Sequence, residues 1–201
     1  MQIVAIPPHG KALSLANALL GMGEVICYPT DTIYGLGADA TNAQAVQKVL
    51  EIKGSSAQKP LSAIFSGWEM ASKYVKIDEG ARQMLEKITP GPFTFILPLK
   101  KKLAASKNKY LGCRVPDNKF CLQICEKFGK PIISTSANLS GQSPVSNLAL
   151  LDEEISQKIS LAIDGGECEF SQGSTIIDVE NKKIIRKGAG LQIAQKWLEK
   201  L

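Results

Sequence analysis

The side chains that could carry chemistry in this chain are hydroxyls, lysines and arginines, and histidine is almost absent. His9 is the single histidine among 201 residues. This composition argues against a Ser-His-Asp hydrolase and against a histidine-rich metal site. The sequence also contains neither a Walker A motif nor a G-x-G-x-x-G motif. Hydroxyls, fixed cations and backbone amides suit the positioning of a phosphate and the neutralisation of its charge.

Two glycine-bearing loops in the first third of the chain hold many of these side chains. Residues 28–37, YPTDTIYGLG, leave a buried strand, and their hydroxyls could bind a small polar molecule. An aspartate-centred turn explains this loop equally well. Residues 53–61, KGSSAQKPL, carry two lysines that could hold a triphosphate. Solvated surface charges are the more common explanation for such a lysine pair.

Three later strand ends carry the remaining polar groups. Arg114 ends an apolar strand, where it needs an anionic partner, either a ligand or an internal acid such as Asp117. Residues 134–141, STSANLSG, gather five hydrogen-bonding side chains, which favours a bound polar ligand over a self-satisfied turn. The last polar segment combines residues 173–178 with residues 186–188 on the following strand. Ordinary turn chemistry accounts for many of its polar residues.

Composition and charge are typical of a globular protein. Apolar residues make up 44% of the chain, and the net charge of +5 is compatible with a phosphate-bearing ligand or RNA. The five cysteines form no C-x-x-C pair, so buried thiols are favoured over a metal site at Cys121 and Cys125. The sequence shows no signal peptide and no apolar run of membrane-spanning length, and we expect a cytoplasmic protein.

The alternation of strand and helix patterns predicts an α/β fold, with a twisted, open mixed sheet and flanking helices. Asn42 and Asp78 are predicted helix caps, and Ser66 with Glu69 forms a capping-box pattern. Residues 130–138, KPIISTSAN, are predicted as one strand that opens onto a loop. We expect a single domain over residues 1–201 that closes with a helix within 189–201, without an appended second domain.

Together and in this order, the polar segments resemble the YrdC-like family, in particular its short threonylcarbamoyl-AMP synthases. The segments that carry the resemblance are YPTDTIYGLGADATN, TPGPFTFILP, CRVPDN, KPIISTSANLSG and STIIDV followed by IIRKG. The resemblance as a whole covers residues 23–188. The resemblance implies a twisted open sheet whose large concave, positive face binds threonine and ATP.

The resemblance also implies roles for individual residues. Lys53, Ser136 and Asn138 match the family's Lys-x-Arg and Ser-x-Asn motifs, and together with Lys59 they are the implied catalytic residues. The residues implied to contact threonine are Thr32, Arg114, Ser134 and Ser174, with Arg114 on the carboxylate. The residues implied to line the ATP site are Ser55, Lys59, Tyr110, Ser136, Asn138, Ser143, Pro144 and Arg186.

Two positions depart from the family pattern. Ser55 stands where the Lys-x-Arg motif has its arginine, which removes one fixed cation from the phosphate site. Ile64 stands where longer members often place a histidine beside the threonine. The missing arginine supports an alternative hypothesis, a related nucleotide- or RNA-binding protein without efficient adenylation. The lysine run within residues 100–109 supports the same alternative, although a solvated connection between strands explains that run more simply.

The implied reaction joins L-threonine, bicarbonate and ATP into threonylcarbamoyl-AMP and pyrophosphate, which serves the t6A modification of tRNA at position 37. Mg²⁺ is expected to arrive with ATP, and no protein side chain is assigned to it. The further expected partners are the tRNA-modifying threonylcarbamoyl transferase machinery and RNA itself, which the protein would contact only weakly. No interaction with a membrane is expected.

Overall fold

Strands and helices alternate along the described part of the chain, which comprises residues 2–5, 10–54, 61–106 and 108–200 of a computed structural model. The strands are β1 (Gln2–Ala5), β2 (Ile26–Tyr28), β3 (Gly35–Gly37), β4 (Ser62–Ile64), β5 (Phe93–Pro98), β6 (Tyr110–Arg114), β7 (Ile132–Ile133), β8 (Thr135–Ser136), β9 (Leu161–Asp164), β10 (Thr175–Asp178) and β11 (Lys183–Arg186). The helices are α1 (Lys11–Gly21), α2 (Ala43–Ile52), α3 (Trp68–Ala71), α4 (Glu79–Glu86), α5 (Lys119–Phe128), α6 (Glu153–Lys158) and α7 (Leu191–Leu198), with a 3-10 turn at Leu148–Leu150.

The helix caps follow the sequence at two of the three predicted places. The side chain of Asn42 accepts hydrogen bonds from two backbone amides in the first turn of α2, and Asp78 accepts one in α4. The capping box predicted at Ser66 is wrong, because α3 begins after Gly67 without a side-chain cap. The Ser66 hydroxyl lies instead 3.6 Å from the sulfur of Met70.

The strands form two mixed sheets, neither of which closes on itself. The five-stranded sheet has the order β1-β9-β2-β3-β8, and the six-stranded sheet has the order β11-β10-β5-β6-β4-β7. Parallel and antiparallel pairs occur in both, for example β2 with β9 and β2 with β3. The predicted open mixed α/β fold is thus confirmed, with two sheets where the sequence suggested a single one.

Residues 132–136 form one short stretch of chain that takes part in both sheets. Strand β7 pairs with β4 in the six-stranded sheet, while β8 pairs with β3 in the five-stranded one. Between them, the Ser134 amide donates to the carbonyl of Ser62 at 2.8 Å. The single strand predicted over residues 130–138 is therefore wrong, because the backbone changes its pairing partner at Ser134. The polar side chains of this stretch lie at the junction of the sheets.

Two apolar clusters hold helices onto the sheets. The larger one surrounds Phe95, whose ring lies 5.6 Å from that of Trp68 and 5.7 Å from that of Trp197 on α7. The smaller one packs α1 and α5 against β2 and β9 of the five-stranded sheet, and it also contains Ile64 and Ile132 of the six-stranded sheet. All five cysteines are buried free thiols, as predicted, and burial raises the pKa of Cys27 to about 12. Across the described residues, no helix combines the length and the apolarity needed to span a membrane.

Candidate functional site

The candidate site is a cavity of about 160 Å³ between the two sheets. Its walls come from β3, β8 and the loop before β3 on one side, and from β4, β5, β6, β10 and β11 on the other. Most of the lining side chains are hydroxyls, and two are arginines. The lining residues are Ile33, Tyr34, Gly35, Ser62, Thr94, Arg114, Ser134, Thr135, Ser136, Ser174, Ile176 and Arg186. A volume of this size suits a small polar molecule, since drug-sized ligands occupy about 300–1,000 Å³.

Arg114, at the end of β6, is a buried cation fixed by a buried acid. Its Nη2 donates to Asp31 Oδ1 at 2.7 Å and to the Thr32 hydroxyl at 3.0 Å. The internal acid that the sequence left open is thus Asp31, and Asp117 contributes only its amide, which donates to Asp31 Oδ2. Arg114 Nε is buried without a hydrogen-bond partner, and an unpaired buried N–H is costly unless a ligand satisfies it. Asp31 and Thr32 fix the orientation of the guanidinium, and its Nε–H is available to an anionic ligand in the cavity.

The loop that carries Asp31 owes its shape to Thr30. The Thr30 hydroxyl accepts from the amides of Thr32 and Ile33 and donates to the carbonyl of Ile33 at 2.7 Å. It also lies 2.9 Å from the hydroxyl of Thr32. This local network closes the loop as a hydroxyl-centred turn. It buries Thr32 against Arg114, so Thr32 lies behind the arginine and is not among the residues that line the cavity.

Arg186 approaches the cavity from β11 on the opposite side. Its Nη2 donates to the Ser174 carbonyl at 2.8 Å and to the Ser174 hydroxyl at 3.2 Å, and that hydroxyl lies 2.7 Å from the Thr94 hydroxyl. Gly188 makes this arrangement possible, because a Cβ there would lie 2.1 Å from the carbonyl oxygen of Gly173. Burial, and after it the positive charge of Arg114, lower the pKa of Arg186. Two arginines facing one cavity favour an anionic ligand.

Lys53 connects the end of α2 to the Ser-x-Asn loop. Its ammonium donates to the carbonyls of Ser136 and Asn138, at 2.6 and 2.9 Å, and its side chain is largely buried. The Asn138 amide nitrogen in turn donates to the carbonyls of Leu139 and Gln142, both at 2.8 Å. Lys53 and Asn138 therefore fix the backbone of this loop, while Ser134 and Ser136 line the cavity. A contact of Lys53 with phosphate stays a prediction.

The predicted nucleotide residues come from both sheets: Tyr110 and Arg186 belong to the six-stranded sheet, and Ser136 belongs to β8 of the five-stranded sheet. Tyr110 and Arg114 lie on the same face of β6, because side chains alternate along a strand, and they are about 13 Å apart. The Tyr110 hydroxyl donates to Glu180 at 2.9 Å, and the ring is 40% exposed. Ser143 and Pro144 are exposed in the loop that Asn138 holds. These three residues do not line the 160 Å³ cavity, and their contact with ATP stays a prediction. Ser55 and Lys59 lie outside the described residues.

Three polar residues of the site were missed from the sequence. Thr94 lies in the apolar segment PFTFILP, and Ser62 lies in the apolar strand β4, yet both line the cavity. Asp31 lay within a recognised segment but was not assigned to Arg114, which is 83 residues away. The available signal was a hydroxyl in the middle of an otherwise apolar strand, since a buried polar side chain needs a partner.

The lining residues that are described include no carboxylate and no imidazole. Tyr34 is held by Gly165 and Gly166, and burial raises its pKa to about 12, so it stays protonated at neutral pH. No group of three or more histidine, cysteine, aspartate or glutamate side chains suited to a metal ion occurs in the described ranges. The site can thus bind and orient anions and polar groups, and its lining offers hydrogen bonds and positive charge.

Residues 18–188 match the model of the Sua5_yciO_yrdC family, which carries the description "Telomere recombination". The chain belongs to this family. The resemblance noted in the sequence is therefore confirmed over most of its length. Relatives within the Sua5_yciO_yrdC family include a putative threonylcarbamoyl-AMP synthase of Methanocaldococcus jannaschii, 37% identical over 187 residues, which cover 92% of this chain and 89% of that protein. The threonylcarbamoyl-AMP synthase of Pseudoalteromonas translucida is 35% identical over 182 residues, or 88% and 97% of the two chains.

Solved structures of the same family share the fold. The crystal structure of P. abyssi Sua5 complexed with L-threonine has a TM-score of 0.90 and 28% identity, and the match covers 98% of this chain and 60% of that one. This chain therefore spans about three fifths of the P. abyssi Sua5 chain. E. coli YciO has a TM-score of 0.84 at 28% identity, covering 94% of this chain and 96% of that one.

Proposed function

We propose that this protein is a threonylcarbamoyl-AMP synthase, which makes an adenylate from L-threonine, bicarbonate and ATP. The observation that carries the proposal is the small cavity in which Arg114, with a buried unpaired Nε, meets Ser134 and Ser174. An amino acid matches this chemistry, because its carboxylate suits a guanidinium and its polar groups suit hydroxyls. The names of the relatives and the threonine complex of P. abyssi Sua5 support the same assignment.

The reaction we propose has two balanced steps. The threonine amine first combines with bicarbonate to give N-carboxythreonine and water. A carboxylate oxygen of this intermediate then attacks the α-phosphate of ATP, so that a P–O bond to the carbamate forms and the bond to pyrophosphate breaks. Negative charge on the transferring phosphate grows towards the transition state, where fixed cations stabilise it most.

The chain's own residues contribute positioning and charge. Arg114 would hold the threonine carboxylate, with Ser134 and Ser174 on its other polar groups. Arg186 would lie beside the phosphates, since its Nη1 makes no hydrogen bond within the described ranges. Lys53 would keep the Ser136 hydroxyl in place through the loop backbone. Because the described lining offers no carboxylate or imidazole, we assign no protein general base.

Magnesium belongs to this proposal as part of the ATP complex. Asp31 is the acid that contacts Arg114, and this ion pair already engages its carboxylate. A Mg²⁺ ion bound to ATP would neutralise part of the phosphate charge. We propose that the ion takes its ligands from the triphosphate and water.

The cytoplasmic location and the transferase machinery that receives the product also stay predictions.

The test is to incubate the purified protein with ATP, Mg²⁺, threonine and bicarbonate, and to measure the adenylate by mass spectrometry alongside pyrophosphate release. We expect both products, and neither when threonine or bicarbonate is omitted. A related synthase run at the same concentration serves as the positive control. If the relative makes the adenylate and this folded protein binds ATP without making it, the nucleotide-binding alternative replaces the synthase proposal.

A further inference from the structure

Thr94 lines the cavity from β5, a central strand of the six-stranded sheet, and the mechanism proposed above gives it no role. In the sheet, Thr94 pairs with Ile176 of β10, which also lines the cavity. Thr94 is 3% exposed. A hydroxyl at this depth needs a hydrogen-bond partner, either from the protein or from a ligand.

The Thr94 hydroxyl and the Ser174 hydroxyl contact each other. Thr94 Oγ1 lies 2.7 Å from Ser174 Oγ, and within the described residues the Thr94 hydroxyl makes no other hydrogen bond. Ser174 Oγ also accepts a hydrogen bond from Arg186 Nη2 at 3.2 Å. Each hydroxyl has one hydrogen and two lone pairs. The two residues therefore hold two hydroxyl hydrogens, and only one of these can occupy the contact between them.

The second hydroxyl hydrogen has no acceptor among the described protein groups. Arg186 cannot accept it, because a guanidinium only donates. Since Thr94 and Ser174 both line the cavity, this hydrogen is available to a bound molecule. The hydrogen of Ser174 is the more acidic of the two, because its oxygen accepts from the guanidinium, and it is therefore the better donor to an anionic ligand. In that arrangement Thr94 donates to Ser174, both lone pairs of Ser174 are occupied, and Ser174 can only donate.

The packing around Thr94 keeps its hydroxyl on the side of Ser174. A Cβ at Gly112 of β6 would lie 3.1 Å from Thr94 Cγ2 and 2.7 Å from Ser62 Oγ. Gly112 thus leaves space for the Thr94 methyl group beside β6. Because the branched Cβ of threonine restricts its χ1 angle, a methyl group placed there holds the hydroxyl towards β10.

The position of Arg186 does not depend on this pair of hydroxyls. Arg186 Nε and Nη2 both donate to the Ser174 carbonyl, at 3.2 and 2.8 Å. Loss of the Thr94 hydroxyl would therefore leave Arg186 in place and change only the direction of the Ser174 hydrogen. The expected effect falls on threonine and not on ATP.

We propose that Thr94 is a positioning residue for threonine, which donates to Ser174 and so makes the Ser174 hydroxyl an obligate donor to an oxygen of the bound amino acid. The inference rests on the proposed function, because it takes threonine as the ligand. It adds a residue to the threonine site and fixes the direction of one hydrogen bond there.

The experiment is a double-mutant cycle on threonine binding, measured by isothermal titration calorimetry with the full chain. Thr94→Val keeps the shape of the side chain but removes the hydroxyl, and the Kd of threonine should rise about five- to tenfold. Ser174→Ala should raise it about tenfold or more. The double variant should bind within about twofold of Ser174→Ala, because Thr94 acts through Ser174. Thr94→Ser retains the hydroxyl and should keep the affinity within about twofold of wild type.

Thr89→Val is the matched control. The Thr89 hydroxyl accepts from Trp68 Nε1 at 2.7 Å and donates to the Leu85 carbonyl at 2.8 Å, and it does not line the cavity. This variant should lower the melting temperature and leave the Kd of threonine unchanged. In steady-state kinetics, Thr94→Val should raise the KM for threonine while the KM for ATP stays nearly constant.

Three results would overturn the inference. Additive effects in the cycle would mean that Thr94 does not act through Ser174. A Thr94→Ser variant as weak as Thr94→Val would indicate a packing role. Equal changes in threonine Kd for Thr94→Val and Thr89→Val would indicate an effect on stability. If the wild-type protein binds no threonine, the proposed function fails together with this inference, whereas threonine binding with an additive cycle removes this inference alone.

Discussion

Arg114 and Arg186 face the same cavity but are held in different ways. Arg114 is 5% exposed and paired with a buried carboxylate at 2.7 Å. Arg186 is exposed as a whole residue, although its guanidinium is partly buried where it donates to the carbonyl and hydroxyl of Ser174. Because Asp31 balances the charge of Arg114, the main contribution of Arg114 is a guanidinium group of fixed orientation. Arg186 has no acidic partner among the described residues, so it contributes mainly positive charge. From this comparison we propose that Arg114 selects the amino acid and that Arg186 neutralises phosphate.

The largest effect is expected for Arg114→Ala. Loss of a desolvated, charge-assisted contact costs about 2–5 kcal/mol, so the Kd of threonine should rise at least about thirtyfold while ATP binding changes little. Isothermal titration calorimetry measures both. Because removal of one partner of a buried ion pair also destabilises the fold, Arg114→Lys is the companion variant. Lysine keeps the positive charge but lacks the planar guanidinium with its several N–H donors, so this variant should still bind threonine weakly. Unchanged threonine affinity in either folded variant would remove Arg114 from the threonine site.

Asp31→Asn tests whether the orientation of Arg114 matters apart from its charge. The variant keeps Arg114 but replaces a charge-assisted hydrogen bond by a neutral one, which weakens it by about 1 kcal/mol or more. We expect the KM for threonine to rise about tenfold, with the KM for ATP nearly constant.

A matched control for Asp31 is Asp39→Asn. Asp39 is also buried and pairs with Lys130 at 2.9 Å, and it does not line the cavity. It should lower the melting temperature without affecting the KM for threonine. If the two variants change steady-state kinetics equally, the effect of Asp31 is on stability and not on positioning.

Arg186→Gln should have a smaller effect than the Arg114 and Asp31 variants, and it should change the KM for ATP instead of that for threonine. An exposed ion pair is worth about 0.2–1 kcal/mol, so the KM for ATP should rise by up to about fivefold. The KM for threonine should hardly change. Steady-state kinetics at varied ATP and varied threonine separate the two. A threonine effect larger than the ATP effect would reverse the division of roles between the two arginines.

The smallest effect is expected for Ser55→Arg, which supplies the cation that the family motif has and this chain lacks. The residue lies outside the described part of the chain, so the expectation rests on the motif. We expect kcat/KM for ATP to rise about two- to threefold, because positive charge near the phosphates acts most strongly in the transition state. Ser56→Arg adds the same charge one position later and should give no gain. Equal kinetics for wild type and Ser55→Arg would mean that the missing arginine does not limit the enzyme.

Much of the fold and site followed from the sequence, because the strand ends carry local signals. The motifs that contain Arg114, Ser134 and Ser174 do line one cavity. The identity of the acid bound to Arg114 did not follow, since Asp31 and Asp117 satisfy the same requirement in sequence. The change of sheet at Ser134 was also hidden, because a strand pattern shows burial and does not show which strand is the neighbour.

The lysine run at residues 100–102 shows a different limit of the sequence. A run of lysines is normally a solvated surface, and its composition does not show that Lys76 lines one surface groove with these lysines. The burial of Leu103 and Ala105 depends on contacts made elsewhere, including the one with Ala40. Only the packed structure distinguishes a flexible basic connection from an anchored one.

The change of sheet at residues 132–136 also bears on the mechanical behaviour of the molecule. Residues 132–136 contribute β7 to one sheet and β8 to the other, and a small molecule bound in the cavity would touch β8 on one side and β6 and β10 on the other. Such a ligand acts as a reversible cross-link between two separately hydrogen-bonded layers. Occupancy would then slow hydrogen exchange in both layers at once, and the two would unfold as one cooperative unit.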